Sequence, residues 1–532
     1  MPSISSFPPR SRAFCSLAVA LLASLCFAGA VRLDAQIIQI KTLPIADGDQ
    51  WRLFPSANTG LGGLTIALRD SLADPFDNPS KGARLNERRK GLFFGSPTAY
   101  TLSKNAGGGR TLPIGGIARS GSTFGGFAVA VQELDKVGSN QLFNPTPPGI
   151  DPALFDGVPT PVTQTVQTAA PSRQNKFAFA TLGHIFDRGG VSVGASALWS
   201  GLNDVDGVDQ LYVGSQRVDQ HGSDLNLRLG LLKEWSGGRS LEGMLLHDRF
   251  NMAHDVTWVD QLWDPNTRRN FPRSRIDHNL DRTSLWGMHL AYSQPVGDSG
   301  WRVGSIFTTN LMSHPKLPDF QFTQVQVIPW DPGHSAAYDL GVGIAKTKGL
   351  TTFGVDAIFE PIHTHTWGET PDSIPTSFGT IPAGAKTTEN HFRFSNAILR
   401  AGMGQEVKLD TMRSGIKSFR LEGGLSLRAI NYTLNQSDHV TQLETQRHEG
   451  WMEWTRTWGF GLRFTDLEFR YVGRTTTGTG RPGIPENSGG GVVFAASADA
   501  GTRNFLAAPN GSTNLTGVAV TSHQISVSVP IR

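Results

Sequence analysis

The chain has 532 residues, of which 61 are glycine and only 17% are charged, and its formal net charge is +3. So small a balance gives no argument for nucleic-acid binding, and the body of the chain holds no concentrated basic tract. Low charge suits a wall that is apolar on one side and polar on the other.

The first 35 residues read as a secretory signal peptide. Arg10 and Arg12 give the positive start, residues 13–27 the apolar stretch, and Ala28-Gly29-Ala30 a cleavage site, so cleavage falls after Ala30 or after Ala35. Both cysteines, Cys15 and Cys26, lie inside it, so the mature chain has no thiol for a disulfide or a metal. Beyond residue 36 no apolar run reaches the ~20 residues of a spanning helix. If the mature chain crosses a membrane, it does so as strands.

Residues 36–90 do not alternate. Leu61, Leu64, Leu68 and Leu72 recur at near-helical spacing, which predicts a short helix stopped by Pro75. A helix with so narrow a stripe cannot stand alone, and the lumen of a following barrel is the nearest surface for it.

From residue 91 to 532 the pattern changes to period two. Leu225, Leu227, Leu229 and Leu231 point one way and Asn226 and Arg228 the other. The same alternation sets Asp356 and Glu360 against Val355 and Phe359, and Arg420, Glu422 and Arg428 against Leu421, Leu425 and Leu427. An arginine facing lipid at mid-depth costs ~2–4 kcal/mol, so Arg228, Asp356, Glu360, Arg420, Glu422 and Arg428 are expected to face the lumen. Paired strands flank short turns at 187–190, 236–239, 297–300 and 347–349. Long connections at 201–223, 251–281, 313–335, 362–390, 436–448 and 475–516 separate the pairs. Short turns at one end and long loops at the other predict an all-β, antiparallel up-and-down transmembrane barrel of about 14–16 strands, with a short helical hatch in its lumen.

Other motifs carry weaker chemistry. His363 and His365 share one strand face, as a metal pair does, but no third ligand is fixed by sequence. Asp204, Asp206 and Asp209 resemble a calcium loop without its bidentate glutamate. The scattered His, Asp and Ser residues give no spacing that selects a catalytic triad, and no enzyme activity and no cofactor is expected.

The segment before the wall carries a resemblance. Gly62-Gly63, Ala67, Asp70, Ala73 and Asn78-Pro79-Ser80 are similar to the N-terminal hatch of the long-chain fatty acid transporter (FadL-type) superfamily of outer-membrane barrels. Ser80 departs from that family's alanine, and the extra strand pair and the Pro530-Ile531-Arg532 ending depart as well. The resemblance implies a hatch that includes Gly63, Leu64, Leu68, Asp70, Asn78 and Pro79. It implies passive uptake of hydrophobic small molecules in a Gram-negative outer membrane, with outer-membrane lipid and the barrel-assembly machinery as partners. It implies a ligand groove among outer loops, for which Leu142, Phe143, Ile150, Leu154 and Phe155 are candidates, although these residues equally suit packing on neighbouring loops. It also implies a lateral opening, for which Gly125 and Gly126 are candidates as a bulge, although a glycine pair also suits plain barrel curvature. Two alternatives remain open: a non-transporting scaffold or secretion accessory, and a general porin.

Overall fold

The computed structural model describes residues 37–42, 44, 46, 48, 50–85, 90–104, 106–135, 173–186, 190–206, 208, 217–264, 267, 269–314, 333–370, 373–409, 415–482, 500, 501, 504, 505 and 515–531. The signal region 1–35 lies outside the described residues, as do Leu142, Phe143, Ile150, Leu154, Phe155 and Asp209.

In chain order the strands begin with β1 (Gly91–Gly95), β2 (Thr98–Leu102), β3 (Gly108–Ser120), β4 (Thr123–Asp135), β5 (Arg173–Phe186), β6 (Val191–Leu202) and β7 (Arg217–Glu234). They continue with β8 (Ser240–Asp264), β9 (Arg269–Val296), β10 (Trp301–His314), β11 (Gly333–Lys348) and β12 (Thr351–Glu369). A small hairpin, β13 (Ile374–Thr376) and β14 (Gly379–Ile381), precedes β15 (Lys386–Lys408), β16 (Ser418–Asp438), β17 (Leu443–Arg463) and β18 (Glu468–Pro482). A two-residue pair, β19 (Ala500–Gly501) and β20 (Asn504–Phe505), comes before the last strand, β21 (Leu515–Ile531).

Seventeen of these form one antiparallel sheet. β1 and β2 both pair with β3 and β21 in a single register. Only Ser96 and Pro97 interrupt it, where proline has no N–H for the ladder. Residues 91–102 are therefore one stave with a break. Among the described residues the sheet has 16 staves and closes where β1 and β2 meet β21.

The alternation sorts the wall as its stereochemistry requires. Leu229 is 53% exposed on the outside, while Asn226 on the opposite face is 1% exposed. Leu340, Val342, Ile344, Val355, Phe359 and Leu421 join the outer apolar surface. The long connections at 251–281, 362–390 and 436–448 are shorter than expected, because β8, β9, β12, β15, β16 and β17 continue pairing through them. These polar strand ends keep their ladders beyond the apolar band, since a neighbouring strand satisfies the backbone there as well as water does.

The described residues of 37–85 run inside the barrel, and the stretch from Leu61 to Leu72 is not the expected helix. Thr59–Leu61 is a single 3-10 turn, followed by Gly62 and Gly63 at φ of 76° and 74°. That left-handed pair breaks a helical path. Among the described residues the one α-helical turn is Asp74–Asp77, and Pro75 stands at its start, where a missing N–H costs nothing, rather than at an end. Leu61, Leu64 and Leu72 are nonetheless fully buried, each burial contributing about 1.5–3 kcal/mol.

Candidate functional site in the barrel lumen

One carboxylate organises the inner segment. Asp70 is buried and accepts from Ser56 Oγ at 2.5 Å, from the Ala57 and Asn58 amides at 2.9 and 3.1 Å, and from the Leu72 and Ala73 amides at 3.0 Å each. It thereby ties both ends of residues 56–73 into a closed loop. Asn58 Nδ2 crosses that loop to the carbonyls of Leu64 and Leu68 at 2.9 and 3.3 Å.

The wall grips this loop through polar side chains and glycines. Asp356 accepts from the Thr65 and Ile66 amides at 2.8 and 3.2 Å. Thr457 Oγ1 donates to the Gly60 carbonyl and accepts from the Gly62 amide, both at 3.0 Å. Arg400 reaches the Gly63 carbonyl at 3.3 Å. A β-carbon at Gly402 would stand 2.1 Å from the Leu61 carbonyl oxygen, and one at Gly424 would stand 2.1 Å from the Gly62 nitrogen.

Asn78-Pro79-Ser80 is seated in the same manner. Asn78 Oδ1 accepts from the Ser80 amide at 3.1 Å and its hydroxyl at 2.7 Å. The turn lies against Gly194 and Gly230, which are directly paired across β6 and β7. A β-carbon at 194 would come within 2.6 Å of the Pro79 carbonyl. Next to it lies a latch of charges. Lys81 bridges Asp74 at 3.0 Å and Glu242 at 2.7 Å, and Arg84 bridges Asp74 at 2.6 Å, Glu234 at 3.2 Å and Glu242 at 2.9 Å. Burial pulls the Lys81 ammonium down, but Asp74 and Glu242 outweigh it and hold the group above its ordinary value. Lys81 therefore stays charged at neutral pH.

Apolar packing fixes the rest. Phe54 stacks on Phe76 with centroids 4.6 Å apart, and Phe94 of β1 and Phe179 of β5 close around them. Residues 37–42 cross the lumen separately. The Ile38 amide donates to Asn310 Oδ1 at 2.7 Å, Arg428 donates to the Gln39 carbonyl at 2.6 Å, and buried Lys41 pairs with Glu453 at 3.0 Å. Between this crossing and the Asp70 loop lies a cavity of about 390 Å³. Its lining combines Ile38, Ile358 and Ile398 with Glu360, Arg400 and Arg428. A second cavity of about 450 Å³ opens at the short-turn end beside Leu68, Arg69, Trp301 and Arg302.

The residues singled out from sequence fall as follows. Gly63, Leu64, Leu68, Asp70, Asn78 and Pro79 all lie in the inner segment. Asp356 and Arg428 contact it, and Arg228 donates to the Asp77 carbonyl at 2.9 Å. Glu360 pairs with Arg428 at 2.8 Å, and Glu422 with Arg420 at 2.6 Å. Gly125 and Gly126 form no bulge, because β4 pairs without interruption with both β3 and β5 there. Their missing side chains relieve crowding instead: a β-carbon at 126 would stand 2.4 Å from the Gly116 carbonyl oxygen. Asp206 accepts from the Gly48 amide at 2.7 Å and the Asp204 carboxylate from Gln220 at 2.6 Å. These contacts anchor the inner segment and the adjoining strand.

Sequence reasoning missed Gly194, Gly230, Gly402, Gly424, Thr457 and the Lys81–Arg84–Glu242 latch. The available signal was glycine on the lumenal half of an alternating strand, which marks close approach of another backbone. The wall also departs from regular pairing between Thr476 and Thr479 of β18. There the Ala46 amide donates to the Gly480 carbonyl at 2.8 Å and the Gly480 amide to the Pro44 carbonyl at 2.7 Å, joining the inner segment to the wall.

No protein-family model and no curated protein matches the sequence. Among solved structures, a Pseudomonas aeruginosa FadL homologue is 11% identical, with 92% of this chain and 100% of that chain covered and a TM-score of 0.42. The Pseudomonas putida toluene transporter TodX is 10% identical, with 94% and 100% covered and a TM-score of 0.36. The FrpB iron transporter of Neisseria meningitidis is 10% identical, with 84% and 83% covered and a TM-score of 0.30. Likeness at this level extends to no ligand and no activity. What the likeness and the strand pairing share is the fold: the chain is a closed antiparallel β-barrel of 16 staves among the described residues.

Proposed function

We propose that this barrel is a gated passage for small hydrophobic molecules across a bacterial outer membrane, with residues 37–85 as its hatch. The observation that carries the reading is the cavity of about 390 Å³ between the Asp70 loop and residues 37–39. Its isoleucines offer contact to an apolar body, and Arg400 and Arg428 offer hydrogen bonds to a polar head. A molecule of both characters fits such a lining better than a purely apolar one. Passage requires the Asp70 loop to shift, because it stands between the cavity and the short-turn mouth. The loop meets the wall through hydrogen bonds with Asp356, Thr457 and Arg400, which water can replace as the loop shifts, while its buried leucines set the cost of that shift.

A second reading, a barrel that does not transport, is favoured by the Phe54–Phe76–Phe94–Phe179 packing and the charged latch, which close the lumen around the segment. Uptake of a panel of labelled hydrophobic compounds by cells with and without the protein separates the two. Uptake that rises with the protein supports the passage; unchanged uptake across the panel leaves the scaffold. Deleting residues 37–75 is expected to raise permeability to small solutes, and no change would mean that the segment does not plug the lumen.

A further inference from the structure

Three histidines stand in one row on the outer wall. His334 of β11 is directly opposite His365 of β12, and His365 is directly opposite His391 of β15. The His334 and His365 rings meet edge to face at 5.3 Å, and the His365 and His391 rings stack at 4.1 Å. Glu389, two positions before His391 and on the same face, accepts from His365 Nε2 at 3.1 Å on one oxygen. Its other oxygen is 3.1 Å from His439 Nε2, in the turn after β16. The donor atoms of His365, Glu389 and His391 all lie within 4.8 Å of one another.

We propose that this cluster is a binding site for a borderline divalent cation, zinc above all. The donor set is imidazole and carboxylate, with no thiolate, and zinc accepts this combination in a tetrahedral shell. Zinc–nitrogen bonds of ~2.0–2.1 Å require donors ~3.3 Å apart. The 4.8 Å limit therefore closes by side-chain rotation of exposed or half-buried rings, with the backbone ladder unchanged. His365, His391 and Glu389 supply three ligands, and His439 or water the fourth. Lys386 also contacts Glu389, and its ammonium lies 4.9 Å from the Trp367 ring, onto which it can retreat when a cation takes the carboxylate.

Location supports access from water. Outward positions of β12 are apolar through Val355, Ala357 and Phe359, and histidines follow at 363 and 365 on the loop side of that band. The site thus sits above the apolar belt, on strands that continue past it. A bound ion would tie β12 to β15 at a level where no lipid compresses the wall.

The test uses purified, untagged protein in detergent micelles, treated with chelator and then dialysed against zinc chloride. Saturable uptake of about one zinc per chain is expected, with cobalt giving the visible bands of a tetrahedral nitrogen–oxygen site. His365→Ala with His391→Ala should abolish uptake, and Glu389→Gln should weaken it by about tenfold or more. His363→Ala, on the same strand face but outside the cluster, should bind as the parent does. Heat-modifiable migration checks that each variant is a folded barrel; should the double variant fail it, His391→Gln alone serves. Absence of saturable uptake, or equal uptake by the folded His391 variant, overturns the site.

Discussion

Asn78 Oδ1 occupies the place that a side chain at Gly230 would take: a β-carbon there would stand 2.1 Å from it. One missing carbon on β7 thus admits the turn of the inner segment. Gly230→Ala is expected to displace residues 78–80, at a cost of about 1–3 kcal/mol for the overpacked contact. Limited proteolysis of the folded barrel reads the effect as faster cleavage within residues 37–85. Unaltered cleavage would show that the segment is not anchored at this hollow.

Asp70→Asn removes the charge that gathers donors from 56–58 and 72–73. An amide also presents two N–H groups where only acceptors fit, so the loop should lose about 1–3 kcal/mol of local stability. Amide hydrogen exchange should accelerate over 56–73 while the wall strands stay protected. Acceleration spread evenly over the wall would instead assign Asp70 to global stability.

The latch separates charge from shape. Glu242→Gln leaves Lys81 and Arg84 with fewer carboxylates, and breaking a buried pair costs about 3–5 kcal/mol. Replacing Lys81 and Glu242 together by methionine should recover much of this loss, because no buried charge is left unpaired. Hydrogen exchange over 74–85 measures both variants. Equal protection in parent and Glu242→Gln would remove the latch from the account of what holds the segment.

A lateral route near Gly125 and Gly126 requires β3 and β4 to part. Ile114 and Val129 face outward and are directly paired across these strands, and residues 27–532 contain no cysteine to interfere. A disulfide between Ile114→Cys and Val129→Cys should leave uptake unchanged if the wall stays closed there, as the unbroken ladder indicates. Loss of uptake that reductant restores would place the exit at this seam.

Much of the wall was legible residue by residue. The leucines at 225–231 and the turns at 236–239 and 297–300 depend on local stereochemistry, so alternation and turn chemistry report them directly. The inner segment was less legible. Leu61, Leu64, Leu68 and Leu72 have helical spacing, yet each leucine meets a different part of the wall and Gly62-Gly63 turns the chain between them. Pro75 was equally ambiguous, since the same missing N–H ends one helix and begins another. The strand ends at 251–281 looked like loops because polar residues read alike in a loop and in a ladder above the membrane.

The amino-acid sequence by itself determined the two-faced strands, the turns between them and the inner polar face, because each follows from bonds within a few residues. Only the tertiary structure decided that Gly194 and Gly230 form the seat for Asn78, that Asp70 closes its loop, and that His365 meets His391 and Glu389. Those meetings depend on strand register and barrel closure. Register is fixed by the sum of all neighbouring pairs around the ring, so no single stretch of sequence states it.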